Sequence, residues 1–147
     1  MDVMRRWLLL LLGFGLCGVT VELVLLQHYE DPKQFIPFGL IVFTFLVMGW
    51  HAATGSAASV RTLQVAMVLL IAGGAVGMAM HYQGNVEFQR EVDPTLRGWP
   101  LFAKAIHAKA PPALAPGSMA QLGLLGLVYA YRHPALTRAG HNTRRVL

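Results

Sequence analysis

Cysteine occurs once in this chain of 147 residues, at Cys17, and acidic side chains occur only seven times. A lone cysteine excludes an intramolecular disulfide, a CxxCH haem-attachment site and a multi-thiolate zinc site. Charged residues make up 13% of the chain and hydrophobic ones 55%, a balance too apolar for a domain that must face water on all sides. Several catalytic signatures are missing as well. There is no HExxH or ExxH to set two ligands on one helix face, no Gly-Lys-Ser/Thr order to cradle a phosphate, and no GxSxG around Ser56, Ser59 or Ser118. The net charge of +5 does not form a basic stripe interleaved with exposed aromatics, so nucleic acid is not an expected partner.

What the chain does have is long apolar blocks. "WLLLLLGFGLCGVTVELVLLQ", residues 7–27, holds a single charge and reaches about 30 Å as a helix, the thickness of a bilayer core. Arg5 and Arg6 give it the look of a signal peptide, but the run is too long and Leu16 stands where a lipoprotein cleavage box needs a small residue before Cys17. It reads as a retained span. Further spans are expected at 35–53, 60–80 and 114–131, the last being the shortest and rich in glycine. Trp50, Tyr129 and Tyr131 fall at interface height.

The fold class expected is therefore an all-α integral membrane protein, a single-domain bundle of four transmembrane helices. The polar stretch 81–113 would be an outer segment containing a short interfacial helix that starts at Pro100. There Trp99, Phe102 and Ile106 share a face, and Lys104 and Lys109 lie elsewhere. Residues 132–147 form a basic tail. With both termini cytoplasmic, that side carries Arg5, Arg6, Arg61, Arg132, Arg138, Arg144 and Arg145 against Asp2 alone. The other side would hold Lys33, Arg90, Arg97, Lys104 and Lys109, matched by Glu30, Asp31, Glu87, Glu91 and Asp93. The expected location is the cell membrane.

Two dipeptides invite a chemical reading: His28-Tyr29 and His81-Tyr82 each follow an outward-running span. Interfacial anchoring accounts for both, since these side chains settle where hydrocarbon meets water. The alternative is a metal site of His28, Glu30, His81 and Glu87, or a haem b held by the two histidines. Glu22 lies about 9 Å inside the first span, and a hydrogen bond to Gln121 would relieve its burial. Its alternative is a proton or ion relay in a small transporter. Gly73 and Gly77 form a GxxxG, and Gly123 and Gly126 a second small-residue strip, both suited to close helix packing. Together these features favour a non-enzymatic accessory or scaffold subunit, without a cofactor, whose partners are the bilayer and other membrane subunits or further copies of itself.

Overall fold

The computed structural model describes residues 3–108 and 114–137, and every regular element among them is helical. The elements are α1 (Val3–Leu25), α2 (Phe35–Thr54, entered through a single 3₁₀ turn at Pro32–Gln34), α3 (Ala57–Val92), α4 (Gly98–Ile106) and α5 (Ala115–Ala130). Three of them are long and apolar enough to cross a membrane: α1, α2 with its leading turn, and α3. At 16 residues, α5 extends about 24 Å, less than a full hydrocarbon core.

Each helix buries one narrow stripe. On α1 it is Leu12, Leu16, Val19 and Leu23; on α2, Ile41, Thr44, Val47 and His51; on α3, Val60, Leu63, Met67, Leu70 and Gly74; on α5, Met119, Gly123, Gly126 and Tyr129. Steps of three and four keep each set on one helix face. The remaining faces carry exposed Leu, Val and Phe, the surface that suits lipid rather than water.

The most extensive packing is between α3 and α5, with α2 against the other side of α3, α1 against α5, and only slight contact between α1 and α2. Small residues make the α3–α5 approach close. A Cβ added at Gly123 would stand 2.7 Å from the Met67 carbonyl oxygen, and one at Gly74 would stand 2.5 Å from that of Pro116. Gly126 lies against Met67, and Gly77 against Pro116, while Gly73 turns away towards Leu40 of α2. The register facing α5 is thus Gly74 and Gly77, and the GxxxG of Gly73 and Gly77 is divided between two neighbours.

Local chemistry explains the turns. Gly55 takes the left-handed conformation (φ 56°) and donates its N–H to His51 O, while Ser56 caps α3 by accepting from Ser59 N. Two residues therefore suffice to reverse the chain. Between α1 and α2, Asp31 accepts from Lys33 N and Gln34 accepts from the Glu30 and Asp31 amides, a capping box that starts the 3₁₀ turn.

One expectation is corrected. Residues 81–92 do not begin an outer loop but continue α3 without a break, because "FQREV" favours helix enough to carry it through Gly84 and Asn85. The helix stops at Asp93, where the following Pro94 disfavours helical backbone. The short helix expected from Pro100 is present as α4, beginning two residues earlier at Gly98. It rests Leu101 and Ala105 on α3, with Asn85 donating to Ala105 O (3.0 Å), and leaves Trp99, Phe102 and Ile106 exposed. The basic tail beyond 137 and the stretch 109–113 lie outside the described residues.

Candidate functional site

The helices alternate in direction, so the α1–α2 turn and the α2–α3 turn lie at opposite ends. A histidine cluster forms at each.

At the α1–α2 end, α1 finishes in a Schellman turn. His28 N bonds to Leu23 O (2.9 Å), Gln27 N bonds to Val24 O (3.0 Å), and Gln27 itself adopts φ 52°. That turn sets the position of His28. His81, one α3 turn above Gly77, meets it with ring centres 5.9 Å apart and planes inclined by 29°. Burial, and then the proximity of His81, holds the His28 imidazole below its ordinary pKa. The carboxylates do not join them. Glu30 is exposed on the turn, and Glu87, six residues along the unbroken α3, is about 9 Å further up and well round the helix from His81. Among the described residues, no group of three or more His, Cys, Asp or Glu converges as ligands for a metal ion. The expected four-residue set is therefore reduced to a pair of imidazoles.

Glu22 and Gln121 are not hydrogen-bonded to each other, and helix register gives the reason. Gly15 packs on Leu122, and Gly126 approaches Leu12, so in this antiparallel pair Glu22 is level with Ala115 and Pro116. Gln121 is then about 9 Å away along the axis. It is exposed, while Glu22 is partly covered.

The α2–α3 end holds a cluster that no local pattern announced. His51 Nδ1 is 2.8 Å from Ser59 Oγ, and its Nε2 is 2.6 Å from Tyr129 Oη. Ser59 Oγ also lies 2.8 Å from Ser56 O, to which it donates. Since the only Ser59 hydroxyl proton is used there, the tautomer is assigned: His51 Nδ1–H donates to Ser59, and Tyr129 O–H donates to Nε2. The hydrogen bonds thus run in one direction, from α5 through α2 to the start of α3. Tyr129, Ser59, His51 and His133 are all buried. His133 stands edge-on to His51, with ring centres 5.2 Å apart, and is held below its ordinary pKa by burial, then by His51 and Arg5.

Arg5 closes this end. It donates to the backbone carbonyls of Tyr129, Tyr131 (3.1 Å) and Arg132 (3.4 Å), where α5 terminates. A cation at a helix C-terminus also opposes the helix dipole. Ser59 is unsuited to nucleophilic attack in this arrangement, because it is fully covered and its proton points at backbone. What the cluster does is tie four helices together with every hydrogen bond satisfied, and no buried side-chain nitrogen or oxygen among the described residues lacks a partner.

Sequence reasoning placed Tyr129 only as an interface residue and passed over His51 and His133. The available signal was topological: four polar aromatic or hydroxyl residues, Ser59, His51, Tyr129 and His133, sit at helix ends that an alternating bundle brings to one face. Comparison of the chain with protein-family models, with curated proteins and with solved structures finds no match.

Proposed function

We propose that this chain is a small integral membrane protein that crosses the bilayer four times, α5 being the fourth crossing, with both termini cytoplasmic. In this reading it acts without catalysis, as an accessory or scaffold subunit within a larger membrane assembly. The charge distribution supports the orientation: Arg5, Arg61 and Arg132 belong to the α2–α3 end, and the acidic residues Glu30, Asp31, Glu87, Glu91 and Asp93 to the other.

One observation carries the scaffold reading. Gly39, Val42, Leu46, Gly49 and Ala53 form an exposed stripe along α2 at steps of three and four, opposite its buried stripe. A Cβ added at Gly39 or Gly49 would meet nothing within 4 Å. These glycines weaken helix propensity without serving the packing inside the chain, whereas Gly74 and Gly123 are needed there. In a bilayer, where lipid tails are as apolar as leucine, such notches favour the close approach of another transmembrane helix.

The test is the mass of the assembly recovered in mild detergent from the native membrane. The double variant Gly39→Leu/Gly49→Leu should keep its own thermal unfolding midpoint and run as the isolated chain, while the unaltered protein brings down a larger complex. An unaltered protein that runs alone, or a variant that retains its partners, removes the scaffold role.

A further inference from the structure

Five histidines lie within the described residues: His28, His51, His81, His107 and His133. Three have ring nitrogens engaged by the protein. His51 uses both, His107 Nδ1 lies 2.8 Å from Ala103 O, and His133 Nδ1 accepts from Ala135 N at 3.2 Å. His28 and His81 alone among these have no protein hydrogen bond to either ring, though each is partly covered and they face one another. Two side chains 53 positions apart have been brought together at the α1–α2 end with their donor atoms unspent.

The spacing has a chemical meaning. Imidazole nitrogens bind a shared ion at about 2.0 Å, which places the two ring centres roughly 5 to 6.5 Å apart for angles between tetrahedral and linear. The observed 5.9 Å lies inside that interval. The same distance lies within the roughly 4.5–7 Å range of ordinary stacked ring pairs, so it is the unspent ring nitrogens, and not the spacing alone, that single this pair out. Preorganisation comes from both sides: the Schellman turn fixes His28, and the unbroken α3 fixes His81 in mid-helix.

We propose that His28 and His81 form a two-imidazole site for a divalent late transition-metal ion, with copper(II) the tightest ligand of the class. Imidazole suits zinc, nickel and copper, and among these divalent ions affinity peaks at copper. Two protein nitrogens leave the other coordination positions to water, so the site is an open, exchangeable one rather than a closed structural centre. It is independent of the scaffold reading, since neither histidine belongs to α2's exposed stripe and the site is read by metal binding rather than by assembly mass.

The experiment titrates copper(II) into the full-length protein, purified in detergent without a histidine tag, and follows the electron paramagnetic resonance spectrum. The first equivalent should show coordination by two nitrogens. His28→Ala and His81→Ala should each weaken that binding by about tenfold or more, and the His107→Ala/His141→Ala variant should bind as the parent does. A parent spectrum without two-nitrogen coordination at one equivalent overturns the site. So does a folded His28→Ala/His81→Ala variant that binds copper(II) as tightly as the parent. Should the alanine variants fail to fold, the parent spectrum and the His107→Ala/His141→Ala control decide the matter: retained two-nitrogen coordination in both upholds the site, and its loss in either overturns it.

Discussion

At the scale of single residues, the interior of this chain depends on polar groups whose partners come from elsewhere in the sequence. Removing the Tyr129 hydroxyl leaves His51 Nε2 without its donor inside a covered cluster. Interhelical hydrogen bonds in bilayers contribute about 0.6 to 1.7 kcal/mol, so Tyr129→Phe should lower stability by about 1 kcal/mol. Thermal unfolding in detergent measures it, and an unchanged midpoint would show the hydrogen bond to be worth nothing net.

A pH dependence belongs to the same cluster. His133 has a lowered pKa in the folded protein, first from burial and then from His51 and Arg5, so the fold favours its neutral form. The groups that face it are His51 from α2, Tyr129 beside it from α5, and the Arg5 cation from α1, with Ser59 of α3 behind His51. Stability from this source is complete above the unfolded value of about 6.5 and is lost as pH falls through the lower folded value. Unfolding midpoints should therefore drop between pH 7 and 5, and drop less in His133→Gln. A His133→Gln slope equal to that of the parent would assign the dependence to other groups.

At the scale of elements, the decisive contact is between α3 and α5. A methyl group at Gly123 would collide with the Met67 carbonyl and Ile71, both held by the helix itself or by close packing. Gly123→Ala should therefore destabilise by about 1–3 kcal/mol. Gly18, on α1, has nothing within 4 Å of an added Cβ, so Gly18→Ala should be neutral or stabilising by up to about 1 kcal/mol. Comparing the two unfolding midpoints checks this, and equal shifts would rule out close α3–α5 approach as the reason Gly123 is required.

Across the whole molecule, some features were legible in the sequence and others were not, for physical reasons. The three longest apolar helices announce themselves because the bilayer selects for length and hydropathy, which are local properties. The far end of α3 does not, because the polar residues between Gln83 and Glu91 look the same in a loop and in the polar continuation of a long helix. The Glu22–Gln121 pairing failed on register, a quantity set by which small residues of α1 and α5 touch rather than by depth within each span. His51 was invisible because its partners lie eight and 78 positions away. That His28 and His81 face one another was a question the sequence could frame, and the structure supplies the 5.9 Å.

The long reach of the contacts at the α2–α3 end has a consequence for how the chain is made. Arg5 and Tyr129 are 124 positions apart, and His51 waits 78 positions for its phenol. Chains fold from the N-terminus as they emerge, so the first three long helices enter the membrane with the His51 acceptor and the Arg5 donor both unmatched. Synthesis of α5 supplies the Tyr129 hydroxyl and the terminal carbonyls together. The polar cluster therefore closes only after α5 is made, and a product that ends before Tyr129 leaves His51 Nε2 and Arg5 without these partners.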